Sequence, residues 1–445
     1  MSILKLPKKG KLCHIAATTE GATWMVEQLR ELRDREGWDV SAIISKGNGN
    51  LSSKLRNENI PFETFDFEFP TRFVAMPILL GRVWTLSLLL RRKRFDVVQT
   101  HLFQSMVLGR LAAWLADVPV RLAMIASPYH LEADTPRWID RATCWMESGL
   151  IPSCLYTLNL YRAMGIREGR LFLTYYGVDE TRFDPVTTQA VDIRAEFGWS
   201  STAPLIGMIA YFYPPRPATW ATPPQLRNRA NKRQEDFIQA APIVLREFPD
   251  ARFLLVGSGW DEDGPKEMQK MQELAARLGL EDQLRFTGFR SDVRNILKAL
   301  DVSVQASIIE NLGGTLESLL MNCPVVATRT GGMVDSIQDG VTGVLVNLLD
   351  PADLANGILH MLGNPDKAET FKRNGRALAI ERFTLHSTIT RLNTIYELLL
   401  HQAHGNRQWV QIGRWVLVLP IFALLGDRLA WSILWTRLQR RLKRL

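Results

Sequence analysis

The sequence predicts an α/β protein with two doubly wound domains, each built on a parallel sheet, that face one another across a cleft. Two observations lead to this prediction. Short apolar runs alternate with segments of helical periodicity in both halves of the chain, which is typical of parallel sheets with helices on both faces. The chain has 445 residues, and at roughly 150 residues per domain this length suits two large domains or three small ones.

Four apolar runs in the first half are interpreted as strands. LCHIAAT is the first, and the helical pattern TWMVEQLRELRDREGW follows it. DVSAIIS, FDVVQTH and VPVRLAMIAS come next, separated by further helical segments. Ligands bind at the carboxyl ends of the strands in such folds, so the turns after these strands are expected to line the cleft.

The second half repeats this plan with five apolar runs: PLIGMIAYF, ARFLLVGSG, QLRFTGF, DVSVQAS and CPVVATR. Between the first two lies YPPRPATWATPPQLRNRANKR, at residues 213–233, which is rich in Pro and Arg and is interpreted as a long loop. Long loops inside compact domains are usually functional or mobile. A hinge between the domains is expected near residues 184–192.

The formal net charge of +8 is concentrated in two segments. Residues 405–445 contain eight basic residues and one acid, and residues 70–94 contain six basic residues and no acid. The rest of the chain is mildly acidic. A composition of 46% apolar and 22% charged residues excludes a disordered or fibrous protein. No nucleic-acid motif accompanies the basic segments, so a nucleic-acid partner is not predicted.

The C-terminal segment has the pattern of a basic amphipathic helix. Its apolar residues recur at steps of three and four, and its arginines fall largely on other faces. The residues concerned are Trp431, Leu434, Trp435, Leu438, Leu442 and Leu445, with Arg437, Arg440, Arg441 and Arg444. This pattern is typical of an interfacial anchor on an anionic membrane. A helix packed on the first domain, or a self-association surface, would show the same pattern.

Cys13, Cys144, Cys154 and Cys323 are scattered along the chain, without a CxxC pair or histidines at metal-ligand spacing. This number is ordinary for a cytoplasmic protein and does not indicate a disulfide framework. The N-terminus lacks the apolar stretch of a signal peptide. We therefore expect a cytoplasmic protein without a metal site, held peripherally at the inner face of the membrane.

The most informative segment is SIIENLGGTLESLLMNCPVVATRTGGMVDSIQDGVTGVLV, at residues 307–346. It is interpreted as a strand end, a glycine turn and a helix that begins near Gly314. The free N–H groups at such a helix N-terminus form a natural seat for a phosphate. Glu310 lies before the turn, and Glu317 lies about one turn inside the helix. Carboxylates at these positions suit the hydroxyl groups of a ribose or hexose.

This segment resembles the retaining glycosyltransferases of family 4, also called glycosyl transferases group 1, which have the GT-B fold. CPVVATRTGG and DGVTGVLV match the family closely, and ENLGGTLE matches it in general character. The two glutamates of the family signature are eight residues apart, whereas Glu310 and Glu317 are seven apart. DVVQTHLFQSMVLGRLAA, RLFLTYYGVDETRFDP and ERFTLHSTITRLNTIYELL resemble further family segments, so the likeness extends over most of residues 12–400.

The resemblance implies a division of the chain into parts. Residues 1–188 would form the acceptor-side domain, and residues 189–383 would form the nucleotide-sugar-binding domain. Residues 384–404 would form a closing helix that packs back on the first domain. Residues 405–445 then remain as the membrane-associating tail.

The resemblance also implies how the leaving diphosphate is held. Lys232 and an arginine would stabilise its charge, with the backbone amides of Gly313, Gly314 and Thr315 sharing this role. No metal or other cofactor is required by that design. The family's donor is a nucleoside-diphosphate sugar, which is a substrate rather than a resident cofactor.

Several further donor-site residues follow from the same resemblance. Arg227 has the family's spacing from the diphosphate-binding lysine, and Arg216 and Arg229 compete with it for this role. Gly257, in VGSG, is a donor-binding candidate, although an ordinary strand-to-loop turn explains the same residues. Gly21, in the turn TTEGA, is expected to line the cleft and to face either the diphosphate or the acceptor.

Four further side chains are assigned to the site, with Glu310, His130 and His101 as catalytic candidates beside Lys232 and with Glu317 as a donor-binding residue. Glu310 would reach the donor sugar, and Glu317 would bind the nucleotide ribose. His130, in ASPYHLEAD, follows the strand end where the family often has a cleft histidine that contacts the donor sugar, and it lies a few residues later than that histidine. His101 lies at a strand end that faces the cleft, where a packed structural histidine is an equal alternative.

Together these features predict transfer of a sugar, with retention, from a nucleoside-diphosphate sugar to an acceptor. The predicted membrane anchor indicates a lipid-linked acceptor, as in the assembly of cell-surface polysaccharide or glycolipid. One alternative is a soluble saccharide acceptor, with the tail serving oligomerisation. A second alternative is a catalytically silent protein of the same fold that acts as a scaffold or binding partner.

Overall fold

The computed structural model of the protein describes residues 9–69, 76–259 and 263–405. Two parallel sheets of six strands each form two domains. Apolar clusters lie on both faces of each sheet. The predicted α/β class with two doubly wound domains is therefore confirmed.

The first domain alternates strands and helices along the chain. Its elements are β1 (Lys11–Ala16), α1 (Thr23–Asp34), β2 (Asp39–Ser45), α2 (Asn50–Asn57), β3 (Phe62–Phe65), α3 (Met76–Lys93), β4 (Val97–His101), α4 (Phe103–Leu115), β5 (Val120–Ile125), α5 (Asp134–Thr143), β6 (Gly149–Pro152) and α6 (Leu155–Ala163). The strand order in its sheet is β3-β2-β1-β4-β5-β6.

The second domain has the same plan, and a long helix follows it. Its elements are α7 (Ile193–Glu196), β7 (Leu205–Ile209), α8 (Gln234–Glu247), β8 (Arg252–Val256), α9 (Asp263–Arg277), β9 (Leu284–Gly288), α10 (Val293–Ala299), β10 (Val302–Gln305), α11 (Thr315–Leu320), β11 (Val325–Thr328), α12 (Met333–Ser336), β12 (Val344–Val346), α13 (Pro351–Gly363), α14 (Pro365–Arg382) and α15 (Leu385–Gly405). The strand order is β12-β11-β10-β7-β8-β9.

The central strand β1 shows why the apolar runs predict strands well. Leu12 is buried in the cluster on one face of the sheet, and Cys13 and Ile15 are buried in the cluster on the other face. A parallel strand covered on both faces needs apolar residues at nearly every position. Continuous apolar runs therefore mark the strands at the centre of each sheet.

Three strands are not predicted by the sequence. β3, β6 and β12 lie at the edges of the two sheets and have only four, four and three residues. Runs this short are not distinguishable from loop sequence by periodicity. Their place in the sheet depends on pairing with a neighbouring strand.

The chain crosses between the domains twice, and the two crossings lie side by side. Val178 donates its N–H to the carbonyl of Phe383 at 3.0 Å, and Leu385 donates to the carbonyl of Val178 at 2.9 Å. Phe183 already packs in a core of the second domain. The first crossing therefore lies at Val178, before the expected hinge region 184–192.

α15 returns to the first domain after the second crossing. Ile389, Leu392 and Tyr396 are buried in the cluster that also contains α1 and the first sheet. The Tyr396 hydroxyl donates to Gln99 Oε1 at 2.7 Å and lies 3.2 Å from His14 Nε2. Side-chain packing and a polar network thus fasten this helix to the first sheet.

The two basic segments are only partly covered by the described residues. The tail at residues 405–445 lies outside them apart from its first residue, so its predicted membrane association concerns a part of the chain not described here. Residues 70–75 also lie outside, and α3 contains most of the second basic segment. Across 9–69, 76–259 and 263–405, no helix is both long enough and apolar enough to cross a bilayer.

Candidate active site

Lys232 and Glu310 form an ion pair beside the carboxyl edge of the second sheet. Lys232 lies just before α8, and Glu310 lies after β10. The Lys232 ammonium contacts Glu310 Oε2, and Ser307 Oγ donates to the same oxygen at 3.2 Å. Each of the two ionic side chains is 16% exposed, so the pair is largely enclosed but accessible to a ligand.

Asn231 brings this pair together. Its Nδ2 donates to the carbonyl of Ile309 and its Oδ1 accepts the N–H of Ile309, each at 2.9 Å. Its carbonyl also accepts the N–H of Ile308 at 2.9 Å. The end of the long loop is thereby bound to the segment after β10, which places Lys232 against Glu310.

Two glycine turns pack closely around Glu310. Gly313 has a φ of 56°, and a Cβ on Gly314 would lie 2.7 Å from Gln305 Nε2. A Cβ on Gly331, whose φ is 53°, would lie 1.8 Å from the carbonyl oxygen of Glu310. These turns need glycine because a side chain would clash or strain the backbone. α11 begins one residue after Gly314, as the sequence predicts.

Glu317, in α11, belongs to a group of charges that spans the two domains. Burial raises the pKa of its carboxyl to about 7, while the charge of Arg182 lowers it and the charge of Glu27 raises it. Arg182 Nη1 lies 3.4 Å from Glu27 Oε1, and Glu27 belongs to α1 of the first domain. The structure therefore places Glu317 towards the interdomain cleft.

The structure explains why residue 315 is a threonine and residue 257 is a glycine. The Thr315 hydroxyl donates to the carbonyl of Leu312 and lies 2.8 Å from Ser336 Oγ. A Cβ on Gly257, whose φ is 139°, would lie 2.1 Å from the carbonyl oxygen of Ala210. If these two residues contact the nucleotide sugar, they would therefore do so through backbone groups.

Two of the three candidate arginines are engaged within their own loop. Arg227 Nε donates to the carbonyl of Thr222 at 3.4 Å, and Arg229 Nη1 donates to the carbonyl of Gln225 at 3.2 Å. The backbone of the loop also closes on itself, since the Arg216 N–H donates to the carbonyl of Arg229 at 3.0 Å. The Pro- and Arg-rich segment is thus an ordered loop with internal hydrogen bonds.

Arg216 is the candidate arginine with an electrostatic link to the ion pair. The pKa of the Tyr213 hydroxyl is raised to about 12, chiefly by burial and also by the neighbouring Tyr211 and Glu310, while the charge of Arg216 lowers it. Glu310 and Arg216 therefore act on the same hydroxyl group. Arg216 also pairs with Arg227 in an isolated parallel bridge, so these two arginines are neighbours in the loop.

His101 lies at the end of β4 and is completely buried. Its Nδ1 lies 2.9 Å from the Tyr176 hydroxyl, and its Nε2 lies 3.3 Å from His14 Nδ1. Trp24 packs on its ring with 4.7 Å between centroids. Burial and the neighbouring His14 lower the pKa of His101 well below its usual value. These are the surroundings of a packed strand-end histidine.

His130 lies in a short 3-10 helix at the edge of a buried charged cluster. Its ring stacks on Phe103 with 5.3 Å between centroids, and its Nε2 lies 3.5 Å from Asp140 Oδ2. Asp140 also accepts the Tyr161 hydroxyl at 2.7 Å and pairs with Arg110 at 2.7 Å. The residue is only 5% exposed, so the structure does not present the ring openly to the cleft.

Gly21 lies in the turn between β1 and α1, at the carboxyl edge of the first sheet. Its φ is 65°, and that of Ala22 is 45°. The Gly21 N–H donates to Asn50 Oδ1 at 3.2 Å. Lys54 Nζ donates to the Gly21 carbonyl at 3.3 Å and to Thr23 Oγ1 at 2.7 Å. Residues of α2 thus hold this strained turn in place.

The domains touch next to the ion pair. Gln225, in the Pro-rich loop, donates through Nε2 to Glu132 Oε2 of the first domain. Tyr129, in the 3-10 helix that carries His130, packs against the buried Ile308 and Ile309. The segment that leads to Glu310 therefore forms part of the contact between the domains.

The cysteines and acidic residues do not form a metal centre in the described chain. All four cysteines are free and buried. Among the residues that the structure describes, no group of three or more His, Cys, Asp or Glu side chains is arranged to hold a metal ion.

Two protein-family models match the chain, one in each domain. The glycosyl transferase 4-like domain matches residues 20–177, and the model described as glycosyl transferases group 1 matches residues 225–364. Together they match more than half of the chain. The chain belongs to the group 1 glycosyltransferases. The resemblance of the sequence to family 4 and to the GT-B fold is thereby confirmed.

Individual relatives agree with this assignment. A Bacillus subtilis (strain 168) protein, named as the glycosyltransferase EpsD, is 26% identical over 371 residues, which cover 81% of this chain and 89% of the relative. The Escherichia coli UDP-Gal:alpha-D-GlcNAc-diphosphoundecaprenol alpha-1,3-galactosyltransferase is 22% identical over 383 residues, covering 82% of this chain and 90% of the relative.

The GT-B fold is shared with a solved structure. Anabaena HepE in complex with UDP-glucose superposes with a TM-score of 0.69 at 19% identity, covering 87% of this chain and 100% of that chain. The family match identifies the chain as a glycosyltransferase.

Four residues around the site are not identified by the sequence analysis. Asn231 positions the ion pair, and the Tyr213 hydroxyl is influenced by Glu310. Glu27 and Arg182 belong to the charge group of Glu317. Asn231 is adjacent to the predicted lysine, which is the one signal that could have identified it. Tyr213 begins the long loop that contains the predicted lysine, whereas Glu27 and Arg182 lie in other segments and reach the site only in the packed structure.

We expect Arg216→Ala to lower the rate of sugar transfer about ten- to a hundredfold, since one charge-assisted contact to a phosphate would be lost. Arg227→Ala and Arg229→Ala are the matched controls from the same loop and are expected to change it less than threefold. Steady-state kinetics on the three variants tests this. A larger effect of Arg227→Ala would instead assign the diphosphate to the residue at the family's spacing.

Donor affinity is expected to depend on the ionisation of Glu317. With a pKa raised to about 7, its carboxyl is mostly protonated at pH 6 and mostly ionised at pH 8. If the carboxylate accepts ribose hydroxyls, donor affinity rises about tenfold between these pH values. Calorimetric titration with UDP-glucose measures this, and Glu317→Gln should remove the dependence. An equal slope in the variant would contradict it.

Proposed function

We propose that the enzyme transfers a sugar, with retention, from a nucleoside-diphosphate sugar to a lipid-linked acceptor at the inner face of a membrane. The observation that carries the proposal is the ion pair between Lys232 and Glu310, which joins the long loop to the glycine turn in front of α11. This pair supports the proposal because a cation suited to a diphosphate lies beside a carboxylate suited to sugar hydroxyls.

The ion pair is suited to exchange its partner when the donor binds. A diphosphate has more negative charge than one carboxylate, so it would attract the Lys232 ammonium away from Glu310. Glu310 would then be free to accept hydrogen bonds from hydroxyls of the donor sugar. Lys232 and Arg216 would stabilise the charge that develops on the departing diphosphate, in the role that a metal ion has in other enzymes.

Retention is proposed from the resemblance to family 4 and from the surroundings of Glu310. Its carboxylate accepts hydrogen bonds from Ser307 Oγ and from the Asn311 N–H, each at 3.2 Å, and these two bonds would remain after Lys232 moves to the diphosphate. A carboxylate engaged by several donors is a weak nucleophile. We therefore favour attack by the acceptor on the face from which the diphosphate leaves, without a covalent intermediate.

The lipid-linked acceptor and the membrane location are supported by the basic segments and by one relative. The sequence of the C-terminal tail has the pattern of an interfacial helix, and each basic residue near an anionic surface contributes about 1 kcal/mol. The Escherichia coli relative is named for an acceptor linked to diphosphoundecaprenol. A membrane-bound enzyme would meet such an acceptor at the surface where it lies.

The decisive experiment incubates the full chain with UDP- and GDP-sugars and with either lipid-linked or soluble saccharide acceptors. We expect sugar to pass to the lipid-linked acceptor, and the anomeric configuration of the product, read by NMR, to match that of the donor. Transfer to soluble acceptors only would contradict the lipid-linked assignment. Binding of donors without transfer or hydrolysis would indicate a silent scaffold.

The membrane location is tested separately. Replacement of Arg437, Arg440, Arg441 and Arg444 by Glu in the full chain is expected to abolish sedimentation with vesicles of phosphatidylglycerol. Transfer to a detergent-solubilised acceptor should remain, since these residues lie outside the two matched domains. Unchanged sedimentation of the variant would contradict a role of the tail in anchoring.

A further inference from the structure

A groove, here called the α3 groove, runs along the outer face of α3 in the first domain. It has a volume of about 680 Å³ and lies between α3 and the ends of β2 and β3. This volume is within the range of roughly 300–1,000 Å³ that is typical of small-molecule sites. Its helical wall follows the spacing of one helix face: Ile78, Gly81, Arg82, Thr85, Leu88 and Arg92.

Much of the α3 groove is apolar. Phe65 lines it from β3, and Ile78 and Leu88 line it from the helix with exposed fractions of 55% and 37%. α3 already anchors itself through its opposite face, where Val83 and Leu86 are buried in the core. The exposed apolar side chains are therefore not needed to hold the helix, and they remain available to contact a ligand.

Two cations of the groove, Lys46 and Arg92, have no ionic or hydrogen-bonding side-chain partner among the residues that the structure describes. Arg82 pairs with Asp66 and donates to the carbonyl of Glu68, so the charge of Asp66 is neutralised. Lys46 is exposed. An unpaired ammonium beside an apolar surface complements an anion that is attached to an apolar chain.

Lys46 also marks the end of the groove that is nearer to the cleft. It follows β2 at the carboxyl edge of the sheet, next to the turn of Gly21 after β1. The two turns pack together, since the Ser45 N–H donates to the Thr18 carbonyl at 3.2 Å. Arg92 lies in the last turn of α3, at the opposite, amino edge of the sheet.

We infer that the α3 groove binds the lipid end of the acceptor, a single apolar chain that carries a phosphate. The chain would lie along the helix, and Lys46 would hold the phosphate at the cleft end. The acceptor sugar, attached to that phosphate, would then point towards the turn of Gly21. The inference rests on the proposed function, because it names the site for the lipid part of the acceptor.

The test measures binding of farnesyl phosphate to the full chain by calorimetry, without donor, against farnesol and inorganic phosphate as probes. Farnesyl phosphate is expected to bind at least about tenfold more tightly than either. Lys46→Ala should weaken its binding by at least about tenfold, and Arg92→Ala should weaken it less. Arg246→Ala, an exposed cation on α8 of the second domain, is the matched control and should bind as the wild type does.

A second variant blocks the groove instead of removing the charge. A Cβ on Gly81 would meet no atom within 4 Å, so Gly81→Phe can place its ring in the open groove without disturbing the helix. It should abolish binding of farnesyl phosphate, whereas Gly81→Ala should retain it. Donor binding should be the same in both variants, which shows that the enzyme is folded.

Three binding results would overturn the inference. The first is equal binding of farnesol and farnesyl phosphate, and the second is equal binding of farnesyl phosphate by Lys46→Ala and the wild type. The third is that the wild type does not bind farnesyl phosphate, while Gly81→Phe loses binding to phosphatidylglycerol vesicles. The last would make the groove a membrane contact. An unchanged KM for a lipid-linked acceptor in Gly81→Phe would contradict the role of the groove in acceptor binding, but it would not contradict the proposed function. Farnesyl phosphate binding without transfer to any lipid-linked acceptor would contradict the proposed function alone.

Discussion

Replacing Lys232 by Met is expected to lower the kcat of sugar transfer by about 100- to 1,000-fold, the range found when one preorganised donor of charge is removed from an active site. The ammonium is largely enclosed and contacts Glu310 in the unliganded enzyme. Its removal would take away the charge that we propose stabilises the leaving diphosphate. It would also leave Glu310 without its ionic partner, close to where the phosphates would bind.

Steady-state kinetics with saturating donor measures this effect, and Lys367→Met supplies the control. Lys367 is an exposed lysine on α14 of the same domain, so its replacement should not change kcat. Thermal unfolding of both variants checks that the domain remains folded. A kcat within threefold of the wild type in Lys232→Met would show that another group stabilises the leaving diphosphate.

Replacing Arg110 by Met is expected to destabilise the first domain by about 3–5 kcal/mol, because it leaves two carboxylates buried without their cation. Arg110 pairs with Asp140 at 2.7 Å and with Glu147 at 3.1 Å, and all three side chains are almost completely buried. Urea unfolding followed by tryptophan fluorescence measures the change. Arg162→Met, which breaks the exposed pair with Glu168, is the control and should have little effect.

The same cluster predicts a pH dependence of stability. Burial raises the pKa of Glu147 to about 7, although Arg110 opposes the shift. The folded state therefore binds more protons than the unfolded state between pH 4.5 and 7, and this contribution to stability is lost as the pH rises through about 7. Glu147→Gln should flatten this part of the profile. An unchanged slope in that variant would assign the dependence to another group.

Loss of the Arg110 cluster should also affect the active site, because of where the neighbouring 3-10 helix lies. His130 contacts Asp140, and Tyr129 beside it packs on Ile308 and Ile309, which lead to Glu310. A weakened cluster would loosen this contact between the domains. Transfer by Arg110→Met is therefore expected to fall more steeply with temperature than transfer by the wild type.

The sequence predicts the centre of each sheet well and the edges poorly. The residues of β1 are buried on both faces, so their apolar run identifies a strand without knowledge of its neighbours. β3 and β12 are short strands at the sheet edges, and hydrogen bonds to an adjacent strand define them. Their conformation is set by pairing, which a local pattern does not contain.

The sequence predicts which residues belong to the candidate site, but it does not predict which of them contact one another. Lys232 and Glu310 are 78 positions apart, and the sequence gives each a separate role. Their direct pairing depends on the bonds of Asn231 to Ile309. The preference for Arg216 over Arg227 depends on the path of the folded loop, which sequence spacing does not describe.

By itself, the sequence determined the fold class, the family, the glycine turn before α11 and the residue types available for a diphosphate and a sugar. Local features suffice for these, because apolar periodicity and glycine turns reflect the conformation of the segment that contains them. Only the tertiary structure decided that His101 and His130 lie in buried networks, that Glu317 joins charges from both domains, and that α3 leaves a groove open. Burial and pairing depend on segments distant in the chain, and packing alone brings those segments together.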